Sequence, residues 1–135
     1  MTNHNPQLEE DVLRMFTGTS KYFRHSINRN VLFTDGVRHV AEEGEAFWLI
    51  DAIAIWLTDQ KFREEAQKDD RIQSLHFWKL TVNEDRSAIL TAKADSPEEP
   101  FITQAILFTD FPLDSIDIWV GNDGEYWTLY LPSEH

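Results

Sequence analysis

The segment from Ala46 to Leu57 limits the fold more than any other part of this chain. It reads Ala46-Phe47-Trp48-Leu49-Ile50-Asp51-Ala52-Ile53-Ala54-Ile55-Trp56-Leu57, apolar at every position except Asp51. It lacks the alternation of a half-buried strand and the polar stripe of a surface helix, and it is too short to span a bilayer. A helix that is apolar all round belongs in a core, wrapped by other elements. Asp51 in that setting would cost several kcal/mol unless it were hydrogen-bonded or protonated. We expect a structural role, with Asp51 accepting from a Trp indole, a Thr hydroxyl or backbone amides. Trp48, Trp56 and Trp78 would themselves need acceptors if buried.

A chain of 135 residues can bury roughly two thirds of its unfolded surface in a single domain, here 1–135. Nine Phe, five Trp and three Tyr argue for a packed core despite the charge. The sequence has no cysteine, so it holds no disulfide, thiolate metal site or cysteine nucleophile, which suits a cytoplasmic protein. Its first residues, Met1-Thr2-Asn3-His4-Asn5-Pro6, do not read as a signal peptide.

On either side of the apolar segment the periodicity divides the chain. Asn5-Pro6 can start a helix with Leu8, Val12, Met15 and Phe16 on one face, ended by Gly18. Tyr22–His25 and Val31–Thr34 read as a short hairpin. Val37–Glu43 reads as a helix closed by Gly44, and Thr58-Asp59 begin a polar helix whose only apolar contact is Phe62 with Ala66. From Ser74 the pattern is that of strands: Leu75–Val82, Ser87–Ala94, Phe101–Thr109, Ile116–Val120 and Tyr126–Leu131. Gly121-Asn122-Asp123-Gly124 supplies a hairpin turn. The expectation is an α+β domain, with N-terminal helices and the central helix packed on a mainly antiparallel, roughly five-stranded meander.

Leu32-Phe33-Thr34-Asp35 recurs as Leu107-Phe108-Thr109-Asp110. Thr34, Asp35, Thr109 and Asp110 can each bond nearby backbone amides, so these read as two similar turns. Phe16-Thr17-Gly18-Thr19, Tyr22, Phe33-Thr34-Asp35-Gly36-Val37, Phe47 to Ala54 and Thr109-Asp110-Phe111-Pro112-Leu113 occur in that order. In this ordered pattern, over nearly the whole chain, the sequence resembles a family of small bacterial and mobile-element proteins known only as a domain of unknown function. The resemblance implies a self-contained domain and transfers no catalytic residue.

Charge narrows the function further. Twenty-four acidic residues face twelve basic ones, a net charge of −12. Residues 87–135 hold nine of the acids and a single cation, Lys93. Such a surface repels nucleic acid and anionic membranes, and the sheet aromatics lack the interleaved Lys and Arg of a base-stacking platform. His4, His25, His39, His76 and His135 are scattered, and His39 with Glu42 lacks further ligands at a metal spacing. No nucleophile elbow, phosphate loop or dinucleotide fingerprint occurs, and no metal or cofactor is expected.

What remains is a non-enzymatic acidic binding protein that docks on a basic protein surface. The specific expectation is an anti-defence inhibitor of anti-CRISPR type, whose carboxylates mimic DNA in the groove of a host nuclease complex. Asp95, Glu98, Glu99, Asp110, Asp114, Asp117, Asp123 and Glu125 are the candidate partner-binding acids, with Trp119 as an aromatic anchor. The alternative is a small enzyme or ligand-binding domain with a pocket around Asp51 and the two Thr-Asp turns.

Overall fold

The computed structural model describes residues 21–95 and 97–135; the helix expected over Asn5–Gly18 lies outside them. The elements run β1 (Tyr22–Arg24), β2 (Val31–Thr34), α1 (Asp35–Glu43), α2 (Phe47–Trp56), α3 (Gln60–Lys68) and α4 (Asp70–Ser74). Then come β3 (Leu75–Val82), β4 (Ala88–Lys93), β5 (Ile102–Ile106), β6 (Ser115–Asn122), β7 (Trp127–Tyr130) and a 3₁₀ turn (Pro132–Glu134). The architecture is α+β.

Local chemistry accounts for the helix starts. The hydroxyl of Thr34 accepts from the Val37 N–H and caps α1, and Gly44 follows its end. Asp59 caps α3 through the Lys61 N–H, and Asp69 caps α4 through the Arg71 N–H. Phe62 and Ala66 are the buried pair of α3. Lys61 reaches Glu65 at 3.2 Å, whereas Lys68 also turns to Glu65 rather than to Glu64.

The sheet has seven strands in the order β1-β2-β7-β6-β3-β4-β5, not roughly five. The early hairpin joins it because β2 lies parallel to β7, Leu32 opposite Thr128, while every other pairing is antiparallel. Four helices and four strands separate β2 from β7 in sequence, which is ample chain for a parallel crossover. Nor are the last five strands a meander. After β5 the chain returns past the β3–β4 hairpin to pair β6 with β3, a Greek-key order.

The return is held by Arg86, a positive-φ residue (φ 70°) in the β3–β4 turn. Its guanidinium donates to the Thr109 and Phe111 carbonyls at 3.1 and 2.7 Å, and its own carbonyl accepts from the Thr109 N–H. Phe111 is thereby placed in the core with no exposed surface.

The central helix corrects the sequence reading. Leu49, Ile50, Ile53 and Ala54 of α2 are buried, but Phe47, Asp51 and Ile55 form an exposed stripe, the two apolar members 46% and 64% accessible. The described helices lie on one side of the sheet, and a helix in a single layer buries only the face turned to that sheet. Apolarity all round was therefore no measure of complete burial.

Asp51, accordingly, is not a buried carboxylate, and neither a Trp nor a Thr bonds it. It accepts from His25 Nε2 at 2.8 Å, and its side chain is largely exposed while the His25 ring is buried. His25 Nδ1 accepts from the Asn28 N–H at 2.9 Å, so the proton of the ring is on Nε2. Asn28 Nδ2 donates to the Ala54 carbonyl. Together these bonds clip the β1–β2 turn onto α2. Asp51→Ala is expected to cost about 1–2 kcal/mol by leaving the buried His25 N–H without an acceptor. Asp51→Asn, which keeps a carbonyl oxygen, should cost less. Urea melts and amide exchange over residues 26–30 check both; equal melts for the two variants would refute the clip.

Candidate docking face

Period-two alternation sorts the strands into a helix-covered face and one that is uncovered among the described residues. His76, Trp78 and Leu80 of β3, Ile116, Ile118 and Val120 of β6, and Leu129 of β7 point to the helices and are buried. Leu75, Phe77 and Lys79, then Asp117, Trp119 and Gly121, then Thr128 and Tyr130 share the other face, where no described helix lies. This alternation separates the two tryptophans of the last hairpin. Trp127 packs in the core edge-on to Phe62 and His76, with centroids 5.6 and 5.3 Å away. Trp119 stands half-buried on the uncovered face.

Around Trp119 the aromatic rings form a ridge. Phe77 lies edge-on at 5.1 Å, Tyr130 at 6.2 Å and the ring of His135 at 5.1 Å. Tyr130 and His135 are stacked, and the Tyr130 hydroxyl is 2.9 Å from His135 Nδ1. Beside the ridge runs an open groove of about 650 Å³, lined by Leu32, Leu75, Gly121, Thr128, Tyr130 and Glu134 among others. Gly121 leaves its floor bare; a Cβ there would meet Tyr130 and Leu75 at ordinary contact distances. Glu134 closes one end, accepting from the Thr34 hydroxyl at 2.7 Å and the Leu131 N–H at 2.9 Å. Partial burial pushes its carboxyl above the usual range. A Cβ at Gly36 would lie 2.7 Å from the Glu134 carboxylate, so a larger residue there would have to displace that side chain.

All eight candidate acids are exposed, but they do not form one cluster. Asp95, Glu98 and Glu99 follow β4, and Asp123 and Glu125 lie between β6 and β7, all at the end of the sheet where β3 begins. Asp69 and Asp70 sit at that end too, in the residues leading into β3. Asp110 and Asp114 lie at the opposite end with the β3–β4 turn, and Asp117 stands across from Lys79 on the uncovered face. Glu98 is met by Arg71 in a two-pronged contact at 2.7 and 2.9 Å, which Asp69 shares. The Arg71 guanidinium lowers the pKa of both carboxyls. Asp123 is held low by the Tyr126 and Glu125 N–H groups, which donate to its Oδ1.

The other candidates are turn and helix residues. Thr109 is buried and its hydroxyl accepts from the Phe111 N–H, while Asp110 is exposed. Asp35 Oδ1 accepts from the Gly36 N–H. Asp51 and Trp48 line a second groove of about 480 Å³ with Asp59, Ile55 and Trp56, whose indole N–H donates to Gln104 at 2.7 Å. Neither Thr-Asp turn lines that groove, so the residues of the alternative pocket are not brought together.

Sequence reasoning missed Arg86, His25 and Glu134, whose partners lie 23 to 100 residues away. It also missed His76, which is fully buried. The one signal available for His76 was its place among apolar residues of a strand.

An α+β domain with helices on one sheet face and an aromatic, acid-rimmed face on the other is thus the class that fold and site define. Over residues 7–135 the chain matches, and belongs to, DUF6876, a family of unknown function. No curated protein and no solved structure matches it. Among the described residues, no helix is long and apolar enough to cross a membrane.

Proposed function

We propose that the chain is a non-enzymatic acidic binding protein that docks on the basic, nucleic-acid-binding surface of a nuclease complex. In its specific form it is an anti-CRISPR-like inhibitor, made by a phage or other mobile element, whose carboxylates stand in for DNA phosphates in the cytoplasm. The observation that carries this reading is the sheet face that no described helix covers. It offers a half-buried tryptophan in an aromatic ridge, and exposed carboxylates gather at the sheet end beside it. An aromatic anchor within a charged rim is the arrangement of a protein-binding hot spot, and a −12 chain is steered toward cationic surfaces. The Thr-Asp turns, engaged in local bonds and apart from Asp51, weigh against the enzymatic alternative.

The experiment mixes the purified chain with CRISPR effector complexes and other nuclease complexes and follows DNA binding and cleavage at rising salt. Inhibition that competes with DNA and weakens steeply with salt is expected. The triple variant Asp95→Lys, Asp123→Lys, Glu125→Lys should lose at least about tenfold in affinity. Trp119→Ala should do the same at any salt. Equal inhibition by wild type and the triple variant, or none by either, would reject the proposal.

A further inference from the structure

β5 ends the sheet. Among the described residues β4 is its only neighbouring strand, so its outward N–H and C=O groups have no strand beside them. Soluble proteins guard such edges with lysine, proline, a bulge or a covering element, because an open edge is a template for pairing. Here the guards are missing from the strand. Its register with β4 runs unbroken from Ile102 to Ile106, and no proline interrupts it. Pro100 to Thr109 is also the longest run in the chain without Asp, Glu, Lys or Arg.

Apolar side chains collect around the same edge. Leu107 and Phe108, directly after β5, are 93% and 68% exposed. Exposed Ile89 lies opposite Ala105 on the uncovered face. Exposed Ile55 lies on the helical side in the groove with Gln104 and Ile106. These are four of the seven large apolar side chains exposed among the described residues. Together they offer on the order of 500 Å² of exposed surface on the two sides of this edge, as much as the largest apolar patch of a typical monomer.

We propose that this edge is an interface between two copies of the chain. β5 of one copy pairs antiparallel with β5 of the other about a two-fold axis, and the sheet continues across both. A second copy fits this edge for two reasons, charge and area. Two chains of −12 repel wherever acids face each other, and Pro100 to Thr109, which carries no charge, is the stretch on which they can meet, with Asp51 and Asp59 beside Ile55 left for salt to screen. The patch taken twice, before the strand backbone is added, gives about 1,000 Å², the area a specific interface needs. An isologous contact covers Ile55, Ile89, Leu107 and Phe108 in both copies at once.

This interface is separate from the acidic docking face, and its salt dependence has the opposite sign. Added salt screens the repulsion between two acidic chains, so dimerisation should strengthen with salt, whereas acidic docking weakens.

The test is sedimentation equilibrium of the full chain up to about 100 μM at low and high salt. It is paired with the variant Ala105→Lys, Phe108→Lys, both at exposed positions. A wild-type dimer favoured by salt, with the variant at least about tenfold weaker at an unchanged thermal melt, is the expected result. Amide exchange should show protection of residues 102–106 that appears with dimerisation. A chain that stays monomeric throughout, or a dimer that the lysines leave intact, would overturn the proposal.

Discussion

Phe111→Ala is expected to cost about 3–5 kcal/mol of stability. The ring has no accessible surface, and it lies in the crossing that carries the chain from β5 back to β3. Its backbone is fixed on both sides, the N–H by the Thr109 hydroxyl and the carbonyl by Arg86. The surroundings therefore collapse little into the space, and the cavity term adds to the lost transfer energy. Asp110, one residue earlier in the same motif, is exposed, and Asp110→Ala should leave stability unchanged. Urea unfolding of the two variants at equal m-value is the measurement. A small loss for Phe111→Ala would mean that the crossing loop is not part of the cooperative core.

Acidification from about pH 7 to pH 4 should remove roughly 3 kcal/mol through His76. Nδ1–H of His76 donates to the Ile72 carbonyl at 3.1 Å, its Nε2 has no partner, and Phe62, Phe101, Trp127 and Trp78 surround the ring. The neighbouring Trp78 indole N–H is likewise unbonded. Desolvation lowers the His76 pKa from 6.5 to about 4. Because the folded pKa is depressed, the unfolded chain takes up a proton first as pH falls. Stability is thus complete above about pH 6.5 and declines until the folded ring itself protonates near pH 4. Glu134 acts in the opposite direction, since its raised pKa means that ionisation costs stability and acid restores it. The stability held by the lowered carboxyls of Glu65, Asp69, Asp85, Glu98 and Asp123 is lost from the ordinary carboxylate pKa downward. The interval from about pH 6.5 to 4.5 therefore reports the loss through His76, partly offset by Glu134. His76→Phe keeps an aromatic ring among aromatic neighbours and should flatten that interval. A wild-type slope that survives the substitution would assign it elsewhere.

Local features were legible in the residues. Thr34 as a cap, Gly44 after α1, Asp59 before α3 and the lone buried pair Phe62 with Ala66 follow from short-range chemistry. The approximate position of each strand was legible too. At the turn before β7, Gly124 adopts φ 98°, and Asn122 bonds its N–H. The acidic bias of residues 87–135 is plain from composition, yet their division between two ends of the sheet depends on strand direction.

The amino-acid sequence by itself determined where helices and strands begin, which residues alternate inward, and how much negative charge the surface carries, because each depends on neighbours a few positions away. Only the tertiary structure decided that β2 joins β7, that β6 returns to β3, that Asp51 answers to His25 and that one face of α2 remains open. Those outcomes rest on contacts between residues far apart in the chain. Which of several compatible pairings forms is chosen by the packing of the whole core, not by the preference of any segment.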